Sequence, residues 1–153
     1  MDAVAYIDPA VIAFVNETFI PLRLPASDKE LGTRYRVKWT PSLLILDGEG
    51  GEQYRTLGFY PPQQLIPSLL LGIGKAKFNL PDRLAACEAF ARVFNEHPHD
   101  NLAPEAVYLY GVARYIETHE VANLTGLHDR LAREYPESPW VTRAAPYKLL
   151  KKL

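Results

Sequence analysis

The segment RYRVKWTPSLLILDGEG, residues 34–50, constrains the fold more than any other part of the chain. A Thr40-Pro41 dipeptide precedes the apolar run at residues 43–46, and a glycine-rich turn follows. Glycine accepts positive φ at no steric cost, so such a turn favours reversal between two strands. The pattern therefore predicts an antiparallel hairpin of residues 43–47 and 52–58.

Helix signals flank this hairpin. Asp8-Pro9 is typical of a helix start and predicts a helix over residues 9–17, and Ser27-Asp28 begins a second one that ends near Tyr35. The run FIPLRL, residues 19–24, predicts a strand, and Pro21 favours a position at the sheet edge. PPQQLIPSLLLGIG predicts a helix that ends near Gly72 or Gly74, with Pro67 kinking or shortening it.

Helical periodicity dominates the remainder of the chain. Four patterns predict helices over residues 82–96, 103–118, 121–135 and 139–150, which we interpret as two helical hairpins. VFNEHP and LAREYP match after a shift of 38 residues. A period of this size is typical of stacked helix pairs.

The order helix, strand, helix, Thr-Pro loop, hairpin, helix resembles the later three quarters of a thioredoxin-like domain. The stretches that carry the resemblance are DPAVIAFVNETFIPLRL, RYRVKWTPSLLILDGEGGE and RTLGFYPPQQLIPSLL. In that family the proline matching Pro41 is usually cis, and its neighbouring backbone pairs with an extended substrate peptide. The resemblance therefore implies a peptide-binding surface at Trp39, Thr40 and Pro41.

The family's Cys-x-x-Cys pair is missing from this sequence. Cys87 is the only cysteine, so the 153 residues cannot form an internal disulfide or a resolving dithiol, and we interpret Cys87 as a small hydrophobe on a helix face. The resemblance also implies that a central strand is absent between residues 19–24 and 43–47. Three outcomes stay open: the flanking strands pair directly, AVAYI supplies a strand, or a second chain completes the sheet in a homodimer.

The stretch APEAVYLYGVARYIETHEVANLTGLHDRLAREYPESPW resembles tetratricopeptide-type helical repeats. We therefore predict an α/β (α+β) protein: an incomplete thioredoxin-like domain over residues 1–80, followed by an all-α, tetratricopeptide-like helical-hairpin region over residues 81–153. The aromatic residues of the helical half could pack in the core, the interpretation that we favour, or line a peptide groove. These residues are Tyr108, Tyr110, Tyr115, Tyr135, Trp140 and Tyr147.

Composition narrows the function classes. The net charge of -1 argues against a nucleic-acid partner. The apolar runs are far shorter than the roughly 20 residues that cross a bilayer, and the N-terminus has no signal-peptide pattern, so we expect a cytoplasmic protein without a membrane partner. No motif indicates a cofactor, and EHPHD, residues 96–100, is better interpreted as a solvated turn than as a metal site.

Two functional hypotheses from different classes follow. The first is a protein-binding or scaffold module that recognises a protein or extended peptide and carries no catalytic residues of its own. The alternative is the C-terminal part of a thiol-disulfide oxidoreductase whose cysteine pair lies upstream of Met1. A third interpretation makes the helical half the functional part and the sheet a dimerisation platform.

Overall fold

The computed structural model describes residues 4–152, and their side chains as far as residue 150. It is a mixed α+β structure in which helices predominate. The elements, in chain order, are α1 (Pro9–Thr18), α2 (Lys29–Arg34), β1 (Ser42–Leu46), β2 (Glu52–Leu57), α3 (Pro62–Asn79), α4 (Arg83–Glu96), α5 (Ala103–Thr118), α6 (Ala122–Thr125), α7 (Leu127–Glu134), α8 (Pro139–Ala144) and a 3-10 segment (Ala145–Lys152).

Aspartate side chains begin the first two helices, as the sequence predicts. The Asp8 carboxylate accepts the N–H of Ala10 at 2.9 Å and that of Val11 at 3.1 Å. Asp28 accepts the N–H of Leu31 at 3.0 Å. Each contact satisfies a donor that the helix itself leaves unpaired, so the starts of α1 and α2 are fixed locally.

The predicted hairpin is confirmed. β1 and β2 pair antiparallel, with Ser42 opposite Leu57 and Ile45 opposite Tyr54, and a bulge follows Ile45. Gly50 has φ +78°, and its N–H donates to the Asp47 carbonyl at 3.1 Å. The Asp47 carboxylate accepts the N–H of Gly51 and the side-chain amide of Gln53, both at 2.7 Å, and these bonds, the Gly51 bond foremost, lower the pKa of Asp47.

The predicted strand at residues 19–24 is wrong. These residues have no ladder partner, and Ile20 and Leu22 are 99% and 78% exposed. A strand exists only when a neighbour pairs with it, and the described part of the chain supplies none here. A strand from AVAYI is also wrong for residues 4–7, which form a turn, while Ala3 lies outside the described residues.

The helix after the hairpin is longer than predicted. α3 has 18 residues and continues through Pro67, Gly72 and Gly74 to Asn79. A Cβ on Gly72 would lie 2.4 Å from the Tyr54 ring, and one on Gly74 would lie 2.4 Å from the Phe90 ring. The two glycines therefore allow close packing on two sides of α3 and do not end the helix.

α3 takes part in both hydrophobic clusters of the described chain. Leu65 and Leu69 pack with Val11 of α1, whereas Leu70 and Leu71 belong to the larger cluster formed by α4 to α8. The larger cluster lies beyond the hairpin and contains most of the fully buried side chains. The sheet is therefore anchored to the helical half through α3, and a domain boundary at residue 80 stays a prediction.

The helical half differs from prediction at two of its four helices. The helix predicted over residues 121–135 is divided at Gly126 into α6 and α7. The one predicted over residues 139–150 changes from α8 to a 3-10 segment at Ala145, next to Pro146, which has no N–H to donate. Residues related by the 38-residue shift are buried alike: Val93 and Leu131 are fully buried, as are Ala106 and Ala144.

Candidate functional site: the outer edge of the hairpin

One edge of β1 presents unpaired backbone groups. The Pro41 carbonyl accepts the Gly58 N–H at 2.9 Å and the Asp47 N–H donates to the Gly51 carbonyl at 2.9 Å, so odd-numbered residues face β2. Since backbone groups alternate in direction along a strand, those of Ser42, Leu44 and Leu46 face outward. Across residues 4–152, β2 is the one strand neighbour of β1, and no backbone hydrogen bond reaches these outward-facing groups.

The loop predicted as a binding surface lies at the start of this edge. Trp39 is 68% exposed, Thr40 is exposed and Pro41 is half-buried. The Thr40-Pro41 peptide bond is cis, in agreement with the resemblance stated above. The Ser42 hydroxyl donates to the Trp39 carbonyl at 2.5 Å, and this bond ties the loop to the first residue of β1.

The hairpin and the residues that follow it expose several large apolar side chains. Leu46 is 39% exposed, Leu57 53% and Phe59 56%. Large exposed apolar groups in one region, unlike single scattered ones, mark surfaces that meet another molecule. We call Trp39, Leu46 and the outward backbone groups of β1 the hairpin edge.

Polar contacts hold the chain before Trp39 against the far end of the hairpin. The Tyr35 hydroxyl donates to the Gly50 carbonyl at 3.2 Å. Arg55 donates to the Tyr35 carbonyl and pairs with Glu52 at 2.6 Å. The bond from Arg55 lowers the pKa of Glu52, and the same bond raises the pKa of Arg55. The connection is exposed at Arg36 and again from Lys38 to Thr40.

Thiol and metal chemistry find no support at this edge. Cys87 lies on α4, is 6% exposed, and burial raises the pKa of its thiol, which disfavours the reactive thiolate. Residues 4–152 contain no group of three or more histidine, cysteine, aspartate or glutamate side chains placed to hold a metal ion. In the same range no helix combines the length and apolarity that crossing a bilayer requires.

The helical half contains an open cleft of about 750 Å³. The C-terminal ends of the two repeated motifs meet in it, Pro98 with the adjacent His99 from the first and Tyr135 with Pro136 from the second. Three aromatic residues of this half pack against each other. The Tyr108 ring lies 5.0 Å from the Trp140 ring, and the Tyr108 hydroxyl lies 3.0 Å from the Tyr147 hydroxyl. These contacts favour core packing over a groove for Tyr108, Trp140 and Tyr147.

In comparisons with known proteins, no family model, curated protein or solved structure matches this chain. The thioredoxin-like and tetratricopeptide-like resemblances therefore stay predictions that rest on the quoted residues.

Reasoning from the sequence predicted Trp39, Thr40 and Pro41 as binding residues, which stays a prediction, and did not single out Leu44 and Leu46. The alternation of Ser42, Leu44 and Leu46 is visible in the sequence, yet which of the two alternating sets faces outward depends on where β2 pairs. One sequence signal could have indicated an open edge: SLLIL contains no charge and no proline, whereas natural edge strands usually carry one or the other.

Proposed function

We propose that the protein is a protein-binding module that accepts an extended segment of a partner by strand addition along β1. The observation that carries this proposal is the set of outward-facing backbone groups on β1, unpaired within residues 4–152 and next to exposed Trp39. In strand addition, main-chain hydrogen bonds supply affinity and neighbouring side chains supply specificity. β1 offers the first, and Trp39 and Leu46 offer the second.

The expected affinity is modest. Each hydrogen bond formed along the edge contributes a net free energy of about 1 kcal/mol. Covering the exposed part of Trp39 adds roughly 3 kcal/mol of gross hydrophobic free energy, at about 25 cal/mol per Å². Because association and ordering of the segment oppose these terms, we expect a dissociation constant on the order of micromolar.

A matched pair of variants tests the proposal. Leu46→Pro removes one outward N–H, a change that an edge strand tolerates because no hairpin bond is lost. Leu46→Ala removes the side chain and keeps the N–H. With extended peptides selected from a random library on the immobilised chain, we expect Leu46→Pro to weaken binding at least tenfold and Leu46→Ala to weaken it less.

Amide hydrogen exchange gives an independent readout. In the free protein the outward amides of Leu44 and Leu46 should exchange faster than the inward amides of Leu43 and Ile45, and a bound peptide should protect the first pair. Equal protection of both pairs at a dilution where the chain is monomeric, or selected peptides that bind Leu46→Pro as well as wild type, would show that the edge is not the binding site.

A second candidate rests on the same open edge. In the thioredoxin-like fold that the sequence resembles, the missing strand that precedes the cysteine pair lies beside β1. We therefore also propose, as the alternative, that this chain is the C-terminal part of a thiol-disulfide oxidoreductase. An in-frame Cys-x-x-Cys codon pattern in the DNA directly upstream of Met1 supports the enzyme, whereas an adjacent stop codon with a ribosome-binding site overturns it.

A further inference from the structure

We propose that the partner at the hairpin edge is a second copy of this chain, paired antiparallel through β1 about a two-fold axis at Leu44. This inference rests on the same open edge as the proposed function and names its occupant. It is carried by three observations on β1 and its flanks: the spacing of the outward-facing residues, the absence of edge protection, and the placement of two charges that have no ion pair within the described residues.

The outward-facing residues of β1 match themselves when one copy is reversed. With the axis at Leu44, that residue meets its own counterpart, and Ser42 meets Leu46 of the other copy. Each of these three opposed positions exchanges two hydrogen bonds, so the pairing forms about six backbone bonds. The arrangement is isologous, so pairing through β1 closes at two copies.

β1 lacks the devices that keep edge strands apart. Residues 42–46 read SLLIL and contain no charge and no proline. Edge strands of natural monomers usually carry lysine, proline or an inward-pointing charge, because an unprotected edge pairs with other strands. The bulge of the hairpin falls on β2, opposite Ile45 and Leu46, so it leaves the spacing of β1 regular.

The charges at the two ends of β1 favour antiparallel pairing. Lys38 lies before the strand and Glu49 in the turn after it, and both are exposed. Neither belongs to an ion pair within the described part of the chain. Antiparallel pairing places Lys38 of one copy at the turn that carries Glu49 of the other, twice by symmetry. Parallel pairing would instead oppose like charges.

Trp39 and Leu46 gain cover in the same arrangement. Trp39 precedes Ser42, and Ser42 is opposite Leu46 of the other copy, so both exposed apolar groups lie at the same end of the paired strands. An interface made of one five-residue strand and its flanking side chains buries less area than the about 1,600 Å² of a standard interface. The dimer is therefore weak and depends on protein concentration.

Sedimentation equilibrium of the full chain over a concentration series tests the inference. We expect a monomer–dimer equilibrium that Leu46→Pro weakens at least tenfold. Lys38→Glu and Glu49→Lys should each weaken it about threefold to tenfold, and the double reversal should restore the wild-type dissociation constant within about twofold. Restoration by the double variant is the decisive result, because it requires the two side chains to meet across the interface.

Binding of a labelled peptide with the sequence of residues 38–50 separates failure of this inference from failure of the proposed function. A chain that stays monomeric at every concentration, yet binds library peptides at the edge, overturns self-pairing and leaves the proposed function intact. A dimer unaffected by Leu46→Pro and by the charge reversals also overturns self-pairing. If the chain forms no dimer and binds neither the labelled peptide nor any library peptide, both self-pairing and the proposed function are overturned. If Leu46→Pro fails to fold by circular dichroism, the charge-reversal series decides alone.

Discussion

Adding one methyl group at each of two glycines should change stability in opposite directions. Gly74 lies in α3, where a Cβ would approach the Phe90 ring to 2.4 Å, and Phe90 is fully buried. Gly32 lies in α2, where a Cβ would meet nothing within 4 Å. Both positions are helical, so alanine improves helix propensity at each by about 1 kcal/mol.

The packing term decides the sign at Gly74. Overfilling a well-packed core costs about 1–3 kcal/mol, and a contact of 2.4 Å with a fully buried ring falls toward the upper value. After subtraction of the propensity gain, we expect Gly74→Ala to lower the free energy of unfolding by about 1–2 kcal/mol. Gly32→Ala should raise it by up to about 1 kcal/mol.

Urea unfolding followed by far-UV circular dichroism measures both changes as shifts of the midpoint at constant m-value. A Gly74→Ala protein as stable as wild type would show that α3 and α4 are not packed as closely as the structure has them. Equal shifts of the same sign in both variants would refute the assignment of the difference to Phe90.

Three further predictions concern the helical half. Leu131→Ala should lower the free energy of unfolding by about 2–5 kcal/mol, because the Leu131 side chain is fully buried. Leu149→Ala, at a 65% exposed position, should change it by less than about 0.5 kcal/mol. Thermal unfolding of the two variants compares these changes. Burial and the hydrogen bond with Tyr108 raise the pKa of Tyr147 to about 12. The neutral Tyr147 hydroxyl therefore stabilises the folded state fully below pH 10, and this stabilisation is lost as pH rises through 12. Spectrophotometric titration, with Tyr147→Phe as the reference, detects this late ionisation. Cys87 should react with iodoacetamide only after denaturation, and labelling of the native chain at the denatured rate would contradict its burial.

Predictions from the sequence succeeded where a few neighbouring residues settle the structure. Asp8 and Asp28 bond to backbone N–H groups two or three positions later, so the starts of α1 and α2 are local properties. The hairpin turn is equally local, because Gly50 must adopt positive φ. For the same reason the chain around Trp39, Thr40 and Pro41 could be identified as an exposed loop next to a strand.

Predictions failed where a distant partner decides the outcome. FIPLRL has the composition of a strand, but strand structure needs a paired neighbour, and the described chain provides none. Gly72 and Gly74 are residues of the type that often ends a helix. Their close packing against Tyr54 and Phe90 outweighs the cost of glycine within a helix. Both errors come from reading local preference without the opposing surface.

The sequence by itself thus determined the caps of α1 and α2, the hairpin turn and the position of the loop, because these depend on interactions spanning a few residues. Only the tertiary structure decided that α3 joins the sheet to the helical half and that Leu44 and Leu46 direct their backbone groups outward. Those features depend on which surfaces meet, and a strand has two chemically equivalent edges until one of them is paired.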